Sequence, residues 1–365
     1  MNGTRGLNSR TVARLALLVV GASLPFWVDT SWVTTAVFVL VAAIGVTGLN
    51  VLTGFAGQVS LGHAFFMACG AYSYVRLAEA LSEPVVAVVA AAFIAAVAGA
   101  LTGPIALRVK GLYLAVVTLG LCFIGQHILF NVESLSGGPA GRDFPGLSVG
   151  GFSLTTQTLN LGPIVIDPNA LHYYLFALVL VAATWFCSNL SRSRSGRSMF
   201  AIRERPDVAE SIGVQLARTK VAAFTISAFF GGLGGALFVA YVGYAQPGQW
   251  DLHLSVQYVA ALIVGGMGST AGPLLGAAVV FGLPTLLTRV AEAVGAEAPT
   301  AALTSALYGA LIVLFLMFEP RGAVGLGQRI FDLGQRIAPR SGRPPRTGDK
   351  TQHQPLATPI SEEVR

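Results

Sequence analysis

The chain has 365 residues, of which 54% are apolar and only 11% charged, against about 25% charged in an average soluble protein. That balance cannot clothe a water-exposed surface or leave a chain disordered. The 43 glycines show no Gly-X-Y period, and three cysteines are too few for a disulfide scaffold. The net charge of +6 gathers in loops and tail between apolar runs, which describes a polytopic membrane protein in contact with lipid and not with nucleic acid.

A bilayer core of about 30 Å takes about 20 apolar residues in helical form, because a helix satisfies its own backbone polar groups in lipid. Ten runs meet or approach this length: Leu15–Val28, Trp32–Leu52, Leu61–Ala78, Val85–Leu107, Leu112–Val132, Leu171–Leu190, Val221–Tyr241, Leu254–Met267, Leu274–Leu287 and Ala301–Phe318. They predict an all-α transmembrane helix bundle of about ten spans over residues 1–320. The first run has the outline of a secretory leader, but Pro25-Phe26-Trp27 leads directly into the second, so it is read as a retained span. The eighth and ninth, separated only by Gly268–Pro273, are either two thin spans or one re-entrant hairpin. Cys69, Cys122 and Cys187 all lie in apolar stretches and read as buried thiols. Residues 321–365 form a cytoplasmic tail. Leu326, Ile330, Leu333 and Ile337 give it an amphipathic start, and its Pro- and Arg-rich remainder reads as disordered.

Basic residues next to spans resist translocation. An even number of crossings puts 20 of the 23 Lys and Arg residues on the side of the termini, leaving Arg76, Arg142 and Arg289 opposite. Both termini are therefore expected on the cytoplasmic side of the membrane. Residues 133–170 then form an external loop, with short strands around Leu147–Leu154 and Ile164–Ile166, and residues 191–220 an internal one. In the internal loop Pro206 suits a first helical position, Asp207 and Glu210 suit the positive end of the helix dipole, and Gly213 suits the stop. A helix of about two turns is predicted there. Arg203, Glu204, Asp207, Glu210 and Gly213 are its candidates for contact with a cytoplasmic partner.

Several chemistries find no support. The lysines Lys110, Lys220 and Lys350 stand outside any Gly-x-x-x-x-Gly-Lys-Ser/Thr phosphate loop. No His or Cys grouping has metal-ligand spacing. Gly146-Leu147-Ser148-Val149-Gly150 matches the letters of a nucleophile elbow, yet it lies in a Gly- and Ser-rich loop and reads as a turn. Gly231-Gly232-Leu233-Gly234-Gly235 falls inside an apolar run and reads as a close helix contact, not a dinucleotide loop. The chain is expected to be a transport subunit and no enzyme.

Two segments echo each other: Gly54-Phe55-Ala56-Gly57-Gln58-Val59-Ser60-Leu61 and Gly243-Tyr244-Ala245-Gln246-Pro247-Gly248-Gln249-Trp250-Asp251-Leu252. One follows span two and the other span seven, on opposite sides, which is the pattern of inverted repeats of spans two to five and seven to ten. Chance similarity between Gly-rich loops is the competing explanation. If the echo is real, Gln58, Ser60, Gln249 and Asp251 flank a translocation path, with His63 as a lining or gating residue. His127 is read as a helix–helix hydrogen-bonding group, and Arg76 with Glu79 as a local pair.

The run Gly48-Leu49-Asn50-Val51-Leu52-Thr53-Gly54-Phe55-Ala56-Gly57-Gln58-Val59-Ser60-Leu61-Gly62-His63-Ala64 resembles the signature of LivM-type permease subunits of branched-chain amino acid ABC transporters. Lys110-Gly111-Leu112-Tyr113, Ser136-Gly137-Gly138-Pro139-Ala140-Gly141 and Gly265-Gly266-Met267-Gly268-Ser269 agree in the same order, so the resemblance covers about residues 45 to 325. It implies import of branched-chain amino acids, a second homologous permease subunit, two cytoplasmic ATPase subunits that bind ATP and Mg, and an external substrate-binding protein. It also implies a Glu-Ala-Ala-like coupling helix, whose place Asp207-Val208-Ala209-Glu210-Ser211-Ile212-Gly213 occupies in altered order. Similar permeases serve urea or short-chain amides, and a stand-alone secondary transporter is a further alternative, although ionisable residues for ion coupling are scarce in these spans. The topology has a direct check: a reporter active only outside the cell is expected to work when fused after Val149 and to fail after Arg197 or Arg340, and external activity at Arg197 would overturn the assigned sidedness.

Overall fold

The first demand on a chain in lipid is that every backbone N–H and C=O find a partner inside its own segment. The computed structural model meets it with helices throughout. It describes residue 21 and residues 23–81, 83–109, 111–143, 146–161 and 164–293, with the isolated positions 306, 309, 310 and 313. Half of the first expected span, the whole of 314–365 and most of Ala301–Phe318 lie outside the described residues.

Ten helices organise the described part: α1 (Thr30–Leu49), α2 (His63–Ala80), α3 (Pro84–Thr102), α4 (Leu112–Asn131), α5 (Pro168–Arg192), α6 (Arg194–Glu204), α7 (Pro206–Ser211), α8 (Leu216–Val242), α9 (Leu252–Gly265) and α10 (Gly272–Ala293). The chain signals their ends. α3, α5 and α7 each open on a proline near the first helical position, where a missing N–H costs nothing. α8 closes on Gly243 in the left-handed conformation (φ 73°). Six described stretches are long and apolar enough to cross a membrane: Thr30–Phe55, Pro84–Arg108, Tyr113–Asn131, Pro168–Arg192, Leu216–Val242 and Gly272–Ala291. The chain is thus an all-α, multi-pass membrane bundle.

α8 is the hub, packing along α1, α2 and α3, while α5 and α10 flank α1 and α9 packs on α10. Lipid tails are as apolar as leucine, so burying side chains drives little here, and close backbone approach must supply the attraction. The glycines of α8 permit that approach. A Cβ on Gly232 would lie 2.2 Å from Cβ of Ala95, and one on Gly235 would lie 2.0 Å from the carbonyl oxygen of Met67. From the other side, a Cβ on Gly70 would lie 2.1 Å from the oxygen of Gly232, and one on Gly48 2.7 Å from that of Ser227. The facing stripe of α3 is equally small, with Ala87, Ala91 and Ala95 fully buried. The glycine run of residues 231–235 is therefore a packing surface.

Residues 133–167 form short antiparallel pairs: β2 (Ser148–Val149) with β3 (Phe152–Ser153), and β4 (Leu159–Leu161) with β5 (Ile164–Ile166). β1 (Arg142–Asp143) pairs with β6 (Tyr244–Ala245), which ties this loop to the segment after α8. Ser148 sits in a hairpin that turns at Gly150 and Gly151, both at positive φ, and no helix follows it as a nucleophile elbow requires.

Three expectations are corrected. Residues 191–220 are mostly helical and not an open loop with one isolated helix: α5 runs on to Arg192, and α6 follows, its N-terminus capped by Ser193 Oγ accepting from Gly196 N at 3.1 Å. Buried Gly196, Met199 and Ile202 recur every three residues along α6, a periodicity that the surrounding arginines mask. Glu79 pairs with Arg142 across chain segments instead of with Arg76, because Arg142 is brought over the end of α2 by the β1–β6 pairing. His127 is exposed and meets Asn131 one turn on in its own helix, whose Nδ2 donates to the His127 carbonyl at 2.8 Å, so it joins no second helix among the described residues.

The glycine contacts set a stability test. Gly235→Leu is expected to destabilise the bundle by more than the ~1–3 kcal/mol typical of overpacking, since backbone and not a flexible side chain blocks the new Cβ. Gly120→Ala, with no atom within 4 Å of its Cβ position, is expected to behave as wild type. Thermal unfolding in detergent compares them, and an unchanged midpoint for Gly235→Leu would contradict the packing.

Candidate translocation and coupling sites

Two ends of the bundle can be told apart by what they carry. At the hairpin end, β1 pairs with β6, Arg142 bonds Glu79, Tyr244 donates to the Ala140 carbonyl, and Glu83 Oε2 accepts from Gly150 N at 3.0 Å. At the other, arginine-rich end, α6 lies beside residues 50–55, which continue α1, and α7 packs on α6 and α8. α10 connects these ends. The turn at residues 266–271 between α9 and α10 contacts Asn50 near the end of α1, whereas Thr285 bonds Thr35 at 3.3 Å and Arg289 bonds Ser31 near its start. α10 thus runs the height of α1, whereas α9 has 14 residues and is not among the described stretches long enough to cross a membrane.

The two echoing segments are breaks in the helical pattern. α1 continues as a π-helix over Asn50–Phe55, then the chain turns through Gly57 (φ 67°) and reaches α2 irregularly. Single π-turns are found mostly at functional positions, since they cost regular hydrogen bonding. The second segment runs from β6 through a short 3-10 turn, Pro247–Gln249, into α9. Both enter the bundle and touch the central part of α4: Leu61 N donates to Thr118 Oγ1 at 3.0 Å, and Cys122 Sγ lies 3.8 Å from the Trp250 carbonyl. There the starts of α2 and α9 meet, with Ala64 N donating to Ser255 Oγ at 3.0 Å.

The expected path residues divide between the two breaks. Ser60, buried, accepts from Gly62 N at 3.3 Å, and Gln58 Nε2 reaches back to the Ala56 carbonyl at 3.4 Å. His63 begins α2, 1% exposed, its ring 5.2 Å from that of Tyr258 and against Gly231 of α8. Neither ring nitrogen makes a hydrogen bond of ordinary geometry, although the Gly45 backbone lies close. Asp251 caps α9, its Oδ1 accepting from Leu254 N at 2.9 Å. Gln249 holds Gln246 N at 3.2 Å and also lines a cavity of about 240 Å³ with Thr35, Phe38, Trp250, Tyr258 and Thr285. Its walls are mostly aromatic and aliphatic, with no charged side chain among the lining residues.

At the arginine-rich end α7 ends in a Schellman motif: Gly213 N donates to Glu210 O and Val214 N to Ala209 O, both at 3.0 Å, with Gly213 at φ 88°. Glu204, Asp207 and Glu210 are exposed, and so are the apolar Val208 (51%) and Ile212 (71%). Exposed apolar residues between charges on a two-turn helix suit a partner groove. Arg203 turns away from them, toward the Gly54 carbonyl, to which its Nη1 donates.

Sequence reasoning passed over Asn50, Thr118 and Ser255, all buried. Asn50 ties the end of α1 to the α9–α10 turn by two bonds: its Nδ2 donates to the Ser269 carbonyl and its Oδ1 accepts from Gly268 N, each at 2.8 Å. A lone amide in an apolar run is a readable signal, because such a group needs a partner in lipid. Thr118 and Ser255 are single hydroxyls at helical positions, and nothing in their neighbourhood in the sequence marks them.

Residues 31–316 match the family described as the permease component of the branched-chain amino acid transport system, and a multi-pass helical bundle with broken helices is what a permease requires. The chain belongs to that family and is a transport component, not an enzyme. Among its relatives are the high-affinity branched-chain amino acid transport system permease proteins LivM of Salmonella typhimurium and of Escherichia coli. They are 32% and 33% identical over 321 residues, covering 84% of this chain and 73% of theirs. The autoinducer 2 import system permease protein LsrC of an Enterobacter species is 30% identical over 202 residues, 53% of each chain. No solved structure matches.

The Asn50 bridge is testable by stability. Asn50→Leu leaves Gly268 N and the Ser269 carbonyl without this partner and is expected to cost about 1–3 kcal/mol. Thermal unfolding of the purified chain measures it, and no loss would show that the bridge contributes nothing.

Proposed function

We propose that the chain is one permease of an ABC importer that moves a small zwitterionic solute inward, with branched-chain amino acids as the first candidates. The observation that carries this reading is similarity along nearly the whole membrane part to two LivM proteins. In this reading a second homologous permease completes the pore, two cytoplasmic ATPase subunits bind ATP and Mg and drive it, and an external binding protein delivers the solute. The full chain has about ten spans, both termini are cytoplasmic, and residues 133–167 face the binding protein.

The spans are proposed to form inverted repeats in which α1 and α8, then α2 and α9, correspond. In support, each break follows a long helix, the two breaks enter from opposite ends, and α2 and α9 start side by side. Gln58, Ser60, His63, Gln249 and Asp251 would then border the moving part of the path. α7 serves as the coupling helix, with Glu204, Asp207 and Glu210 meeting the ATPase, Gly213 setting the exit angle, and Arg203 joining this surface to α1. The aromatic cavity is a poor resting place for a zwitterion, since an uncompensated buried charge is costly, and transit between two permease copies avoids that burial.

Reconstitution tests the reading. Proteoliposomes holding the complete complex are expected to accumulate labelled leucine only with ATP inside and the binding protein outside, while the chain alone hydrolyses no ATP. Glu210→Arg is expected to reduce ATPase pull-down and uptake together at normal expression, since a surface change away from the core usually alters stability by within about 0.5 kcal/mol. Ser148→Ala, in its hairpin, is expected to transport as wild type. Leucine uptake without ATP would favour a secondary transporter, and uptake of urea in place of leucine would move the chain to the amide-type permeases.

A further inference from the structure

Arg203 stands in the coupling region, yet its guanidinium does not point toward a partner. Nη1 donates to the Gly54 carbonyl, in the π-helical end of α1. The side chain runs past two glycines whose backbones lie in the left-handed region, Gly57 (φ 67°) and Gly268 (φ 83°). A Cβ on Gly57 would lie 2.9 Å from Arg203 Cγ, and one on Gly268 3.1 Å from its Nη1. The two glycines thus leave room for this side chain, one beside its stem in the α1 break and the other beside its guanidinium in the α9–α10 turn, although Arg203 as a whole remains exposed. Asn50 already joins those two segments through Gly268 and Ser269, and the ring of Phe200, one turn before Arg203, lies 4.9 Å from that of Phe55 and tilted to it. The Gly54 carbonyl is a suitable anchor, because it lies in the last turn of the helix, where carbonyls have no partner in the helix itself.

We infer that Arg203 is a positioning residue that pins the end of α1 and the α9–α10 turn to α6, so that displacement of α6 and α7 carries the π-helical end of α1 and that turn with it. The guanidinium suits this task, since a charge-assisted bond to a carbonyl is stronger than a neutral one and a planar fork keeps its direction. This one contact explains two glycines of the Gly54–Gly57 and Gly266–Gly268 runs. The consequence for transport rests on the importer reading above, whereas the pin itself does not.

The test has two arms. Arg203→Met keeps the stem beside the glycines and removes the donor, Arg203→Lys restores a charged donor, and Arg194→Ala changes an exposed arginine of the same helix. In the purified full chain, backbone hydrogen exchange over residues 50–57 and 266–272 is expected to quicken about tenfold in Arg203→Met, less in Arg203→Lys and not in Arg194→Ala. In proteoliposomes with the whole complex, Arg203→Met is expected to assemble and hydrolyse ATP but to import about tenfold less solute per ATP, with Arg203→Lys recovering most of it. Unchanged exchange would overturn the pin. Faster exchange with normal import per ATP would overturn its role in transmission, as would loss of assembly, which marks a docking contact instead. If the wild-type complex imports nothing, the importer reading fails, and the exchange arm still decides the pin.

Discussion

The bundle depends on how closely helix backbones approach where the solvent offers no reward for burying apolar side chains. In lipid, attraction between helices comes from dispersion and hydrogen bonds, and both fall away steeply with distance. α8 meets that constraint with glycine: Gly232 against Ala95 and Gly70, Gly235 against Met67, and the Ser227 backbone against Gly48. Three neighbours are thereby held on one helix, and α9, α10 and α5 add to α1 around it. Because these contacts are backbone to backbone, they have little room to slide.

The constraint places flexibility elsewhere. Close contacts along α8 leave the breaks at residues 56–62 and 246–251 as irregular parts of the central bundle, and the groups around them are held by side chains that could exchange partners: Thr118 at Leu61, Cys122 beside the Trp250 carbonyl, Ser255 between the starts of α9 and α2, and Asn50 and Arg203 at the end of α1. A transporter needs two packings of similar free energy that partner and nucleotide state can bias. Single hydrogen bonds of about 1 kcal/mol each are suited to that purpose, whereas an interlocked glycine face is not. The hairpin end, tied by β1–β6 and the Arg142–Glu79 pair, adds a second fixed layer.

Much of this was legible in the residues. The apolar runs located the long helices to within a few residues, Gly213 reads as the stop of its helix, and short strands are expected around Leu147–Leu154, although Ser148, which reads as part of a turn, lies in a strand and the turn falls at Gly150 and Gly151. What escaped had physical causes. α6 is short and arginine-rich, so its three-residue apolar stripe carried too little weight against its charge. Arg76 with Glu79 was a sound local guess that a long-range strand pairing overrode by delivering Arg142. His127 lay in an apolar run, where a neighbour on another helix was assumed, yet its side of α4 is open and Asn131 is nearer. The breaks were visible as an echo, but that their ends meet at Ala64 and Ser255 is a tertiary fact with no local mark.

The central claim is that the arginine-rich end moves as one piece while the α8-held hairpin end stays fixed. Spin-label distances in the assembled complex measure this most directly, in a chain whose three cysteines have been replaced. Labels at the exposed positions Val208 and Met267 report within the moving end, and labels at Val208 and Val242 report across the bundle. The account predicts that nucleotide changes the 208–242 distance and leaves the 208–267 distance unaltered. A 208–267 distance that changes with nucleotide while 208–242 holds would contradict it.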